Sequence, residues 1–363
     1  MEASNGDPSF KGTNGYSEGE IERLVTEALR SDALRYLSTL LNSARTIEDV
    51  SADTLNLEEL AFPDWNLAPN GEPLSASMDP VFYQFVLQQV DILVVAFVTN
   101  LSPVLRRMRH AEEDTGHALA LSTSRARQPD PHSRTVSHST QPPRSGLGDF
   151  FNLIAFVYAD RPPDAALRWW ADSSDGRLYA FLRWAAEARV TILLKPLYNM
   201  FGSLARGPGC ATYAYNFFSS NGGMARGGTA SSGAGWCSWA SLFGSLDWLL
   251  SSVPDQRSQA RQPSAIPGGA LDLGGTRQPL PVDPDEIRSI MAFLRVLRMV
   301  VQYSTAARAA LLENGQNRAV SVMLDLVRAH VALELKGKIF DTLAAFCEVG
   351  DEAGVGQEIV KLM

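Results

Sequence analysis

Helical periodicity runs through this chain almost without interruption, and it constrains the fold more than any single motif. Apolar residues recur every three or four positions in one stretch after another. No stretch keeps a period-two alternation bounded by turn pairs, so a sheet is not supported. Glu20 to Ser43 reads as two helices broken near Ser31-Asp32. Asp79-Pro80, a capping side chain followed by proline, opens a helix to about Arg109. Further helices are predicted over Leu147 to Tyr158, from Pro163-Asp164 through Trp169 and Trp170, over Gly176 to Glu187, from Pro196 to Ala205, and over Cys210 to Phe218. Ser238 caps a stretch with Leu242, Phe243, Leu246 and Leu249. Asp283-Pro284 repeats the start signal before Ile287, Ile290, Met291, Leu294, Leu297 and Val301, with Arg288 and Arg295 on the other side. Thr305 to Leu312, Arg318 to Arg328 and Leu335 to Glu348 complete the series.

Three stretches lack apolar periodicity. His110 to Arg144 is rich in Ser, Thr, His, Arg and Pro, and residues 106 to 144 hold seven arginines against four acids. Ser219 to Gly235 is Gly/Ser-rich, and Ser251 to Pro281 is Pro/Gly/Gln-rich. Such compositions predict disordered insertions. The expected organisation is a disordered N-terminus over residues 1–18, a helical part over 19–110, a disordered basic linker over 111–146, and a helical segment over 147–363 with flexible loops near 219–235 and 251–282. About a dozen helices in succession, with inserts at the turns, fit an irregular all-α solenoid. A compact all-α bundle is the alternative.

The chain has 363 residues and a net charge of −8, which disfavours direct nucleic-acid binding as its main role. Its three cysteines, Cys210, Cys237 and Cys347, show no CxxC, so buried reduced thiols are expected rather than disulfides or zinc. Val81 to Leu101 is apolar enough to raise the question of a membrane. Gln84, Gln88 and Asp91 share one helical face there, and an aspartate at mid-span costs about 2.5–3.5 kcal/mol. A buried amphipathic helix with a narrow polar stripe, rather than a transmembrane segment, is expected.

Candidate chemistry is sparse. The glycine-rich run from Asn221 to Gly228 lacks the Lys-Ser/Thr ending of a phosphate loop. His110, Glu112, Glu113, Asp114 and His117 cluster possible metal ligands, but a solvated charge run is the plainer reading. Asp172-Ser173-Ser174-Asp175-Gly176 misses the spacing of a calcium loop. Four of the five histidines lie in the basic stretch, leaving His330 alone as a general base, so no catalytic set can be assembled. No catalytic, cofactor-binding or metal residues are therefore assigned, no cofactor is expected, and partner-binding residues stay unassigned. Trp169, Trp170, Trp184, Trp236, Trp239 and Trp248 are read as packing residues between helices rather than base-stacking platforms.

Several strings then occur in a telling order. They are Gly148-Asp149-Phe150-Phe151; Leu178-Tyr179-Ala180-Phe181-Leu182-Arg183-Trp184-Ala185; Leu204-Ala205-Arg206-Gly207-Pro208-Gly209-Cys210-Ala211; Trp239-Ala240-Ser241-Leu242-Phe243; Ser304-Thr305-Ala306-Ala307-Arg308; and Leu333-Glu334-Leu335-Lys336, followed by Thr342-Leu343-Ala344-Ala345-Phe346. From Leu147 onward the sequence resembles the largest inner-ring scaffold nucleoporins of the nuclear pore complex, in a fungal-like version. Residues 78–109 agree more loosely. Gly209 stands where a larger polar residue is expected. Members of that family are several times longer, so the likeness is to an internal piece of the N-terminal half. The resemblance implies an α-solenoid of irregular HEAT/ARM-like repeats. It implies no enzymatic activity and a scaffold and adaptor role that binds linear segments of linker nucleoporins and supports nucleocytoplasmic transport. It places the chain at the nuclear pore and nuclear envelope, attached peripherally through other inner-ring nucleoporins. It also implies that the helix from Leu335 to Glu348 has an apolar face that a following repeat would cover. A soluble karyopherin-like transport receptor, a non-functional truncated fragment and a helical enzyme are the alternatives.

Overall fold

The computed structural model describes residues 17–43, 80–126, 146–159, 161–171, 176–188, 190–222, 237–252, 284–313, 319–329 and 331–347. Among these described residues there are fourteen helices and no strand. The chain divides into two compact units, residues 1–157 and 158–363, with the boundary inside a helix rather than within the stretch 111–146.

In the first unit, α1 (Glu18–Arg30) starts at a reciprocal cap. The Ser17 backbone N–H donates to Glu20 Oε2 at 2.8 Å, and the Glu20 N–H donates to Ser17 Oγ at 3.4 Å. Asp32, at φ 57°, turns the chain into α2 (Ala33–Ser43), so the expected break falls where the sequence placed it. The single helix expected from Asp79-Pro80 to Arg109 is two, α3 (Pro80–Asn100) and α4 (Ser102–Ala126). Pro103 explains the interruption: it lacks an N–H and disfavours helical backbone in the residue before it, so α4 restarts with Val104 and Leu105 donating to Leu101 O.

Helix α4 also corrects the expected disordered linker. Residues 111–126 are helical, and 127–145 lie outside the described residues. The segment holds good helix formers (Ala111, Glu112, Glu113, Ala118), an Arg109–Glu113 ion pair at 2.9 Å, and a buried Glu112 whose Oε1 accepts from Leu147 N at 3.4 Å. Those tertiary contacts outweigh the polar composition. Helix α5 (Gly146–Ala159) is apolar nearly all round and correspondingly buried, with Phe150 against Phe97 at 4.8 Å.

The second unit contains α6 (Leu167–Trp170), α7 (Arg177–Ala186), α8 (Thr191–Leu204), α9 (Pro208–Gly222), α10 (Trp239–Ser252), α11 (Pro284–Tyr303), α12 (Thr305–Glu313), α13 (Ala319–Arg328) and α14 (Leu333–Phe346). Its centre is α11, which packs against α8, α9, α10, α12 and α14. From Ile290 to Val301 almost every α11 side chain is buried, so the one-sided stripe expected from the sequence is exceeded. Arg295 does not face away either. Its stem lies 3.5 Å from where a Gly202 side chain would begin, and its guanidinium reaches Ser203 Oγ at 3.5 Å on α8.

Three further boundaries moved. Pro196 does not open α8 but sits inside it, buried with Leu193 and Leu197; packing against α11 offsets the roughly 3 kcal/mol cost of an internal proline. Residues 219–222 are the last turn of α9 rather than loop, with Ser219 Oγ donating to Tyr215 O at 2.8 Å. Residues 251 and 252 likewise end α10, while 223–236 and 253–283 lie outside the described residues.

Candidate interaction surface

The strings that carried the resemblance are helix joints. Arg206-Gly207-Pro208-Gly209-Cys210 wraps around Asp164, itself at φ 63°. The Asp164 N–H donates to Arg206 O at 3.0 Å, and its Oδ1 accepts from Cys210 N at 2.9 Å, capping the first turn of α9. Gly207 adopts φ 109°, and a Cβ there would lie 2.3 Å from Asp164 N. At Gly209 the expected larger residue has little room, because a Cβ would meet Asp164 Oδ1 and Leu167 Cδ1 at 3.2 Å.

The Ser304-Thr305-Ala306-Ala307-Arg308 string makes a second joint. Ser304 Oγ accepts from Ala307 N at 3.3 Å and lies 3.2 Å from Thr212 Oγ1 of α9. Buried Arg308 donates through Nε to Val301 O at 2.9 Å, satisfying a carbonyl at the end of α11. On α14, Thr342 Oγ1 donates to Lys338 O at 2.8 Å and lies 3.4 Å from Leu294 O of α11.

Most of the tryptophans pack. Trp169 Nε1 donates to Tyr158 OH at 2.6 Å, Trp170 Nε1 to Leu204 O at 2.8 Å, and Trp239 Nε1 to Tyr215 O at 3.1 Å. Rings of Trp170, Phe201, Phe217, Phe218, Trp239 and Phe293 form a chain of contacts 5.0–6.2 Å apart. Trp184 is half-buried and Trp248 exposed, so neither belongs to that core; Trp236 lies outside the described residues.

The candidate chemical clusters do not assemble. His110 and Glu113 form a surface pair at 3.4 Å on α4, and the Arg109 guanidinium, hydrogen-bonded to Glu113, holds that carboxyl below its usual value. Among the described residues no group of three or more His, Cys, Asp or Glu could hold a metal ion. Asn221 and Gly222 end α9, and Gly176, at φ 51°, precedes α7. Residues 223–228, 172–175 and His330 lie outside the described residues. Cys210 and Cys237 are buried, and burial pushes both thiols up to about 12; Cys347 is exposed, against expectation, because it falls just past the last turn of α14.

Two helix faces among the described residues remain open to solvent and largely apolar; the sequence points to the one on α14 but not to the one on α3. On α14, Leu333 (83% exposed), Gly337, Phe340 (48% exposed) and Ala344 fall at i, i+4, i+7 and i+11, opposite buried Leu335, Ile339, Leu343 and Phe346. Nothing lies within 4 Å of where a Gly337 side chain would begin. On α3, Phe82, Phe85, Ile92, Leu93 and Ala96 are exposed, while Tyr83, Leu87, Val94 and Phe97 are buried. Asp91 is buried too, so it does not join Gln84 and Gln88 in a solvent-facing polar stripe. By length and composition Val81–Asn100 could cross a membrane, but its buried face is that of a helix packed in protein, against α2 and α4.

Comparison with known proteins follows the same line. The family described as Nup192, nuclear pore complex scaffold, nucleoporins 186/192/205, matches residues 9–359. Nucleoporin NUP192 of Chaetomium thermophilum is 28% identical over 252 residues, covering 69% of this chain and 13% of that protein. Nuclear pore complex protein Nup205 of Homo sapiens is 24% identical over 345 residues, covering 86% of this chain and 16% of that protein. The chain therefore spans less than a fifth of the length of these relatives.

Proposed function

Because this chain belongs to the nuclear pore complex scaffold family of nucleoporins 186/192/205, we propose that it is an adaptor of the pore's inner ring that holds short linear segments of linker nucleoporins and turns over no substrate. The family consists of helical solenoids, and the all-α succession α1–α14 is of that class. Its relatives are components of the nuclear pore complex at the nuclear envelope.

The observation that carries the reading is the open row Leu333, Gly337, Phe340 and Ala344 on α14, an apolar face of the kind a following repeat would cover and here assigned to a partner segment instead. A partner segment can lay apolar anchors along such a row, the common mode of peptide recognition on helical surfaces. Covering Leu333 contributes about 1.5–2.5 kcal/mol and covering the exposed half of Phe340 about 1–1.5 kcal/mol. Added to main-chain and flanking contacts, and reduced by the cost of ordering the peptide, this supports affinities of roughly micromolar to nanomolar.

Calorimetric titration of the folded chain with synthetic linker-nucleoporin segments tests the proposal. Binding should fall at least about tenfold in Leu333→Ser/Phe340→Ser, whose helical circular dichroism should stay at the wild-type level because both residues are exposed. No heat with any inner-ring segment would overturn the adaptor reading. Unchanged affinity in the double variant would move the peptide off α14.

A further inference from the structure

Helix α3 is apolar on two sides. One side is buried; the other carries Phe82, Phe85 (54% exposed), Ile92 (56% exposed), Leu93 and Ala96, with exposed Gln89 among them and Gln88 at the edge, a row of about 21 Å at the rise of an α-helix. A helix whose outer side still carries five exposed apolar residues is normally covered there, and exposed apolar patches of this extent mark surfaces that something occupies.

We propose that residues 55–67 of the same chain cover the outer row of α3. This segment holds six large apolar residues in thirteen: Leu55, Leu57, Leu60, Phe62, Trp65 and Leu67. Trp65 is the only tryptophan in residues 1–157. The chain positions the segment for this contact. It leaves α2, which packs on α3, at Ser43, and returns at Pro80, the first residue of α3 and two residues before Phe82. Eleven residues lie between Ser43 and Leu55, and twelve between Leu67 and Pro80. Each stretch can reach up to about 40 Å, and the segment itself is long enough for the whole row. An occupant joined at both ends acts at an effective concentration of about millimolar, which a separate partner seldom attains. The row carries no charged residue; Glu58, Glu59 and Asp64, interspersed in the segment, can remain in water while its apolar residues are covered. The inference does not depend on peptide binding at α14.

Hydrogen exchange on the full chain tests it. Amides of residues 55–67 should exchange at least about tenfold more slowly than in the isolated peptide. Phe85→Ser/Ile92→Ser, at exposed positions that leave the buried face of α3 intact, should abolish that protection. A second variant, Leu60→Ser/Trp65→Ser, should uncover the row and raise bis-ANS fluorescence severalfold, and adding Phe85→Ser/Ile92→Ser to it should remove the gain. Exchange of 55–67 at the rate of the free peptide would overturn the proposal, as would protection that survives the α3 substitutions. Light scattering that shows a dimer lost in Phe85→Ser/Ile92→Ser would instead assign the row to a second copy, and would equally overturn it.

Discussion

Replacing Gly207 with alanine should be among the most damaging single-methyl changes available in this protein. The added Cβ would stand 2.3 Å from the backbone nitrogen of Asp164 and 2.5 Å from its Oδ1, and backbone cannot yield as a flexible side-chain end can. The residue also has φ 109°, where an alanine is strained by about 1–3 kcal/mol. Moving Asp164 away weakens two hydrogen bonds, Asp164 N to Arg206 O at 3.0 Å and Cys210 N to Asp164 Oδ1 at 2.9 Å, each contributing about 1 kcal/mol net. The total is about 3–5 kcal/mol. Urea unfolding followed by tryptophan fluorescence reads it well, because Trp169, Trp170, Trp184, Trp239 and Trp248 all belong to the second unit. With a slope of about 2–3 kcal/mol per molar urea, the midpoint should drop by about 1–2.5 M. Two internal controls set the scale. Gly209→Ala, with contacts at 3.2 Å and no positive φ, should cost about 1 kcal/mol or less, and Gly244→Ala, in the open on α10, should stabilise by about 0.5–1 kcal/mol. A Gly207→Ala midpoint within about 0.2 M of wild type, roughly 0.5 kcal/mol at that slope, would remove the Asp164 joint as the meaning of this motif.

Tryptophans should divide by burial: Trp170→Ala is expected to cost about 3–5 kcal/mol, and half-buried Trp184→Ala about half as much, so thermal melting should rank Trp170 well below Trp184. Equal losses would mean that Trp184 is core after all. A thiol reagent at pH 8 should modify Cys347 within minutes and reach Cys210 and Cys237 only after denaturation; fast labelling of either buried thiol would contradict the packing around α9 and α10. Both buried thiols are raised in the fold from an ordinary 9.0 to about 12, so the stability they contribute is fully present below pH 9 and is lost as pH rises through 12. The urea midpoint should therefore fall above pH 9, less steeply in Cys237→Ala.

Much of the helical order was readable because start and stop signals are local. Ser31-Asp32, Ser238 and Pro284 marked real boundaries, since a cap or a proline acts within one turn of chain. The errors share another cause. Pro196 resembled a helix start because its internal cost is local, whereas the burial that offsets it comes from α11, about ninety residues onward. Residues 111–126 resembled a linker because the contact that orders them, Glu112 to the start of α5, is also remote. The open row on α3 was hidden for a simpler reason: Phe82 and Tyr83 are adjacent apolar residues, and only their neighbours distinguish an inner from an outer face.

The class of fold, the break at Ser31-Asp32 and the family strings were thus legible in the sequence, because propensity, capping and steric freedom are properties of a few consecutive residues. Long-range packing made α11 the centre of the second unit, laid Arg295 over α8, capped α9 with Asp164 rather than a local residue, and left Trp184 and Cys347 outside the core. Each of these depends on which distant helix arrives at a given face. Periodicity records that a face is apolar, but its burial is set by long-range packing, and a single helix carries no record of its neighbours.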